Sequence, residues 1–396
     1  MRVLVVFDNH YPEGMAMANR LHLYAKGIVE LGGKIRILAG KYKKKSNGIQ
    51  SYEGVEYYTL NNSFFRSLPS VLSRLGFLFE KLNLFAHLVR NRKEYDIIWA
   101  IGYAWFPLFI FSVISKLFGK KLIIELNELP HSIVASRLQS DFTNDIKRWL
   151  LFTIAYPGID GFIVISETLK NLATEKKSKN AKLIKIPIIM DSGRFKSEEN
   201  NIETRFKNRF VFHAGTLTEE KDGIIQVFEA IARVIEEKDP QLKFVLSNKI
   251  TLPAVIHKID SIIEKYGIKD NVIFHNHLSK EQMDENLRTC TLVIINKPDN
   301  KRNSYNFATK LGEYMSYGIP IISTPVGEAA KYFEDRKNAH VVNSTDVDAL
   351  VQRIGDILDN PAAAVELGNM GRKTATENFD FKLYSKDLLN FFSSLK

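Results

Sequence analysis

Two doubly wound α/β domains, Rossmann-like parallel sheets facing each other across a cleft, are what this 396-residue sequence predicts. Three observations point there. Short β-branched runs alternate with helical stretches, the pattern of parallel strands covered on both faces. A polar segment without apolar periodicity, residues 192–208 (SGRFKSEENNIETRFKN), interrupts the alternation near mid-chain and reads as a linker. The alternation then starts again. The expected domains cover 1–195 and 205–379, and the chain length is ordinary for two.

The first strand is expected at 3–7, an apolar run that ends at Asp8 and is too short for a signal-peptide core. A helix follows at 17–31. Strands are expected at 34–39, 97–101, 121–125, 161–165 and 183–189, with a helix at 168–174. Residues 97–115 carry no charge and approach membrane-spanning length. Gly102 and Pro107 nevertheless divide them into a strand and an apolar helix to about Leu117. In the second half, strands are expected at 210–213, 243–247, 272–274, 292–296 and 320–324. Helices are expected at 223–237, 309–317, 347–356 and 385–395. No period of 20–50 residues recurs, which excludes a solenoid.

Composition narrows the function classes. A hydrophobic share of 45% and a charged share of 25% exclude a disordered or collagen-like chain. The single cysteine, Cys290, excludes an intramolecular disulfide and a cysteine-built zinc site, and it fits a reducing, cytoplasmic compartment. The net charge of +10 is uneven: residues 1–200 hold 29 basic and 18 acidic side chains, residues 201–396 hold 26 and 27. A basic first half suits an anionic partner. No nucleic-acid motif accompanies the charge, so nucleic acid is not expected. Residues 64–93 place Leu68, Leu72, Leu75, Phe79, Leu82, Phe85 and Val89 at helical spacing among basic side chains. That pattern fits either a helix lying on an anionic membrane or a core-facing helical hairpin with a solvated basic face. Lys41 to Lys45 (KYKKK) adds a basic loop, a feature that is usually just solvated.

Two elements carry chemistry. The stretch 303–328, NSYNFATKLGEYMSYGIPIISTPVGE, reads as loop, helix, glycine stop and buried strand. Its helix is expected to begin near Ala308 and stop at Gly318, and the unpaired N–H groups of a helix start suit a diphosphate. Lys310 has the wrong sign for a helix start unless an anion lies nearby. Glu313, one turn on, can accept hydrogen bonds from vicinal hydroxyls. The second element, FHAGTLTEEKDG at 212–223, ends a strand near Gly215 and places Lys221 ahead of a helix. Glycine permits close backbone approach and lysine supplies a point charge for phosphate. Each element taken alone also fits an ordinary strand–loop–helix turn with solvated side chains. No G-x-G-x-x-G or G-x-x-x-x-G-K-[ST] is present, which removes the main support for dinucleotide oxidoreductases and P-loop proteins. Asp346-Val347-Asp348 has the D-x-D form of metal-dependent transferases but precedes a helix, where it reads as capping charge, so no metal ligand is assigned.

FATKLGEYMSYGIPIISTPVGE and FHAGTLTEEKDG, in this order and spacing, resemble the donor-site block and diphosphate loop of the retaining glycosyltransferases of family 4. YPEGMAMANRLHLYAKGI resembles their first loop and helix. The resemblance implies a GT-B fold, with the acceptor on the N-terminal domain, the nucleotide sugar on the C-terminal domain, and a last helix, about 380–396, crossing back. It implies roles for Glu313 on the ribose, Lys221 on the diphosphate, and the loop Tyr305, Asn306, Phe307, Ala308, Thr309 and Lys310 around phosphate and donor sugar. It places Gly14, Gly215 and Thr216 against the diphosphate, backbone groups of His275 and Leu278 on the base, and Asn127 and Glu128 near the donor-sugar and acceptor side. Tyr305 stands where the family often has glutamate, and Thr216 where it often has arginine; Lys310 is a candidate for part of the missing charge.

The implied reaction moves a sugar from a nucleotide-diphosphate donor, UDP or GDP, to a hydroxyl of a sugar or lipid-linked acceptor, without metal or bound cofactor. The context is cell-surface polysaccharide or glycolipid assembly, with peripheral contact at the cytoplasmic membrane face. His131 is a candidate base, against the commoner reading of a packed or surface histidine. The competing readings are a sugar-nucleotide epimerase or phosphorylase of the same fold, a non-catalytic nucleotide-binding scaffold, and a basic membrane adaptor.

Overall fold

Buried runs of Val, Ile, Leu and Phe build two sheets. The computed structural model describes residues 1–396 apart from 15, 42–47, 61–69, 130–140, 196–201, 216, 249, 251, 276–277 and 396, and apart from the side chains of 41, 70–78, 141–143 and 202. The first sheet comprises β1 (Arg2–His10), β2 (Lys34–Lys41), β3 (Gln50–Tyr52), β4 (Val55–Thr59), β5 (Ile97–Ile101), β6 (Lys121–Leu126), β7 (Gly161–Val164) and β8 (Lys182–Lys185). Its order is β3-β4-β2-β1-β5-β6-β7-β8, and all neighbours run parallel except the β3–β4 hairpin. The second sheet comprises β9 (Phe210–His213), β10 (Lys243–Leu246), β11 (Val272–Phe274), β12 (Leu292–Ile295), β13 (Ile321–Ser323) and β14 (His340–Val341). It is parallel throughout, in the order β11-β10-β9-β12-β13-β14. The β3–β4 hairpin and β14 have no counterpart among the expected strands, because neither forms an apolar run.

The chain forms two units, Met1–Ile189 with Phe381–Lys396, and Met190–Asp380. In the first, the helix Ala16–Glu30 presents Ala18, Leu21, Ala25 and Ile28 to the sheet at helical spacing. The helix Phe381–Ser394 adds Leu388, Phe391 and Phe392 to the same core, where the Phe392 ring lies 5.6 Å from that of Trp99. In the second unit, the helix Ile224–Glu237 buries Ile224, Val227, Phe228, Ile231, Val234 and Ile235.

The uncharged run resolves into β5 and the helix Trp105–Leu117, and among the described residues no helix is long and apolar enough to cross a membrane. The described part of 64–93 is one helix, Ser70–Arg90, not a hairpin. The basic loop residues 42–45 lie outside the described residues.

Residues 192–208 are not a solvated linker where described. Ser192–Phe195 is a 3-10 turn and Ile202–Phe206 a short helix, both in the second unit. Arg205 is buried, and its guanidinium donates to the carbonyls of Leu287 (3.3 Å), Cys290 (2.8 Å) and Tyr317 (2.5 Å). A segment anchored by polar contacts leaves no apolar period to read.

Candidate functional site

In the second sheet the strand order reverses between β9 and β12, and open parallel sheets bind ligands outside the carboxyl ends at such a point. Beyond β9, Gly215 has φ +120° and donates its N–H to Ser247 Oγ at 2.9 Å. A Cβ at this position would lie 3.2 Å from Lys310 Nζ. The glycine thus leaves room for the ammonium to settle against the loop. Thr216 lies outside the described residues.

Lys221 stands ahead of the long helix, within a one-turn helix, Glu219–Asp222, capped by Thr218, whose Oγ1 accepts the Lys221 N–H at 3.2 Å. Gly223, at φ +50°, ends that turn, and the long helix begins only at Ile224. Side chains from beyond β12 hold the turn in place. Asn300 Nδ2 donates to the Glu220 carbonyl at 2.8 Å, and Asn303 Nδ2 reaches the Glu220 and Lys221 carbonyls at 3.3 and 3.4 Å.

The donor-block helix starts later than expected. Ala308 is loop, Thr309 and Lys310 form a turn, and the helix proper is Leu311–Ser316. The Leu311 N–H already bonds the Ala308 carbonyl at 2.9 Å, so it is not an open donor for an anion. Phe307 is a core residue, 1% exposed, with its ring 5.5 Å from Tyr332 and 5.8 Å from Phe379. Only its backbone remains for a ligand. The Asn306 carbonyl accepts the Glu328 N–H at 3.2 Å. Gly327 makes that approach feasible: at φ +73°, a Cβ there would come within 2.7 Å of the Asn303 carbonyl oxygen and 2.6 Å of that of Asn306. Tyr305, at the end of the helix Lys301–Ser304, is half-buried.

The charges around this loop are desolvated. Burial pushes the Lys310 ammonium down to about 8; Glu313 and Asp222 pull it back up, while Lys221 and Lys297 push it further down. Burial raises the Glu313 carboxyl, against the lowering pull of Arg194 and Lys310. Arg194 pairs with Asp284 at 2.7 Å, and the Tyr317 hydroxyl donates to the same carboxylate at 2.6 Å. His213, at the end of β9, is pushed by burial down to about 4 and is therefore neutral near pH 7. Gly215, Lys221, Lys310 and Glu313 thus share one basic, largely buried setting at the switch point.

The remaining candidates divide. The His275 N–H extends the sheet by donating to the Leu246 carbonyl at 2.9 Å, and is therefore not available to a base; the Leu278 side chain is buried. In the first unit, Gly14 is packed so that a Cβ would lie 2.4 Å from that of Ala18 and 2.7 Å from the His10 carbonyl oxygen. Asn127, just past β6, is buried, and its Oδ1 has no hydrogen-bond partner among the described residues. Glu128 is exposed, and His131 lies outside the described residues. Asp346 accepts the Ala349 N–H at 2.9 Å and Asp348 pairs with Arg233 at 2.6 Å, so the D-x-D is helix-start charge. The sequence reading missed Lys297, Asp222, Arg194 and Asn303. Lys297 carried one signal, its place directly beyond a buried strand at a carboxyl edge.

A pair of parallel α/β units defines the class. The fold is GT-B. Sucrose-phosphate synthase from Thermosynechococcus elongatus superposes with TM-score 0.75 at 16% identity, covering 100% of this chain and 99% of that one. Anabaena HepE in complex with UDP superposes with TM-score 0.68 at 17% identity over 100% of both chains, and its complex with UDP-glucose is similarly alike. Residues 195–374 match the model of the family glycosyl transferases group 1. A curated relative is the MMP alpha-(1->4)-mannosyltransferase of Mycolicibacterium hassiacum, 26% identical over 55% of this chain and 50% of that protein. Another is the GDP-mannose-dependent alpha-(1-6)-phosphatidylinositol monomannoside mannosyltransferase of Mycolicibacterium smegmatis, 27% identical over 29% of this chain and 31% of that protein. The matched stretch thus spans half the length of the first relative and less of the second.

Proposed function

We propose that the protein transfers a sugar from a nucleoside-diphosphate sugar to a hydroxyl acceptor, with retention of anomeric configuration. One observation carries the reading: a desolvated Lys310 ammonium set against Gly215, with Glu313 one turn away. Preorganised positive charge in a dry site stabilises a departing diphosphate far more than the same charge in water. The bond from the anomeric carbon to the diphosphate breaks as the bond to the acceptor oxygen forms. The acceptor proton passes to the leaving diphosphate on the same face. Lys221 and Lys310 hold the diphosphate, and Glu313 accepts hydrogen bonds from the ribose. The mannosyltransferase relatives make GDP-mannose the first donor to try, and the UDP-glucose complex of the structural neighbour makes UDP-glucose the second.

The test is nucleotide-dependent thermal stability. Ligand at about 100 times its dissociation constant stabilises by ~2.7 kcal/mol. GDP or UDP is expected to raise the melting temperature of the unaltered protein, and Glu313→Ala and Lys221→Ala to reduce the shift. No shift with any nucleoside diphosphate refutes the donor site.

The same reading includes an acceptor at a membrane surface. The helices Ser70–Arg90, Trp105–Leu117 and Asp141–Leu150 expose Phe79, Leu82, Phe106, Leu117, Ile146 and Trp149, with Leu117 72% accessible, in the half of the chain that carries the basic excess. Apolar and aromatic side chains beside positive charge suit an anionic interface. Sedimentation with phosphatidylglycerol vesicles is expected to capture the protein at low salt, and Leu117→Glu with Trp149→Glu to release it. Equal capture by neutral vesicles, or indifference to the two changes, overturns this part.

A further inference from the structure

Lys297 lies just past Asn296 at the end of β12, the strand that borders the order reversal. Its ammonium lies 2.6 Å from Asp222 Oδ1, and both side chains are largely withdrawn from water, at 15% and 9% exposure. The second Asp222 oxygen accepts the Thr218 N–H at 3.2 Å. Thr218 in turn caps the turn through the Lys221 N–H. The Lys297 backbone is pinned as well: its N–H donates to Thr324 Oγ1 at 3.1 Å, and its carbonyl accepts from that hydroxyl at 3.0 Å. Neighbouring Asn296 donates to the Gly223 carbonyl at 3.0 Å. Two residues just past one strand therefore hold the C-terminal end of the turn that carries Lys221, and the Asp222 carboxylate ties that end to Thr218 at the other.

A buried ion pair is a poor device for stability alone. Desolvation cancels much of the attraction, and an apolar pair of similar volume often serves as well or better. Two features single this pair out. It joins the edge of the sheet to the turn presenting a proposed phosphate ligand. It also leaves three ammoniums, those of Lys221, Lys297 and Lys310, close enough to influence one another around the Asp222 carboxylate. Asp222 thereby pairs Lys297 within the fold.

We propose that Lys297 is a positioning residue of the donor site, acting through Asp222 to fix the Thr218–Gly223 turn in the geometry that presents Lys221 to a nucleoside diphosphate. This rests on the donor-site reading above. Lys297 touches no ligand; it sets the place of a residue that does.

The experiment measures dissociation constants for GDP and UDP by calorimetry on the full chain, in a double-mutant cycle of Lys297→Met and Lys221→Ala. Lys297→Met alone is expected to weaken binding about tenfold or more. In the Lys221→Ala background the same change is expected to alter affinity by less than about twofold, since its effect passes through Lys221. Unchanged affinity in Lys297→Met overturns the inference, and so does an equal loss in both backgrounds. If Lys297→Met does not fold, Lys297→Met with Asp222→Leu is read instead, because it strands no charge. A wild-type melting temperature with weakened nucleotide binding supports a positioning role; wild-type binding in that variant refutes it. Failure of the unaltered protein to bind either nucleotide refutes the donor-site reading, whereas normal binding that ignores Lys297 refutes this inference alone.

Discussion

Lys310→Met is expected to weaken nucleoside-diphosphate binding by about 10- to 100-fold, the worth of a charge-assisted hydrogen bond of roughly 1.5–3 kcal/mol. The side chain earns that value by its setting. It lies against Gly215, shares its surroundings with Glu313, and is largely withdrawn from water. The same setting predicts a pH dependence. Burial lowers the ammonium to about 8, so the free site holds the charge below that pH and loses it above. Affinity is expected to be flat below pH 7 and to fall by up to about tenfold per pH unit above 8. Lys310→Arg keeps its charge throughout and is expected to flatten the profile. Calorimetric titration between pH 6 and 9.5 separates these outcomes. A profile that falls identically in Lys310→Arg assigns the titration to another group.

Arg205→Met is expected to destabilise the Met190–Asp380 unit by about 3–5 kcal/mol. Three carbonyls, those of Leu287, Cys290 and Tyr317, lose their donor. Each stranded acceptor costs roughly 1–3 kcal/mol, partly offset by relief of a buried charge. Denaturant unfolding followed by the exchange of amides in this unit reads this loss directly. A change below about 1 kcal/mol, the ordinary range for surface sites, shows that the carbonyls find other partners.

Much of this architecture is written in apolar periodicity. β1, β5, β6 and β12 are continuous buried runs, and a run of that kind between helices has few other homes. Lys310 was legible through a conflict of sign, a cation where a helix start favours an anion. Arg205 was illegible for the opposite reason: a buried guanidinium looks like any other charge in a polar stretch. Phe307 lies beside residues of the candidate site, and no local pattern separates an aromatic turned toward Tyr332 and Phe379 from one turned toward a ligand. The pairing of Asp222 with Lys297 spans 75 positions, a distance at which only the strand order brings residues together. The late helix start at Leu311 follows from the turn at Thr309 and Lys310, which propensity does not encode.

The return of Phe381–Lys396 to the first unit has a consequence for the order of assembly on the ribosome. Met190–Asp380 is continuous, and all of it has been polymerised before Leu388, Phe391 and Phe392 are added. The core around Trp99 stays open until those side chains emerge. Domains commonly mature from the N-terminus onward during synthesis. Here the nascent chain must carry an incompletely covered first sheet, with its apolar face a target for chaperones, while the second unit is already able to close.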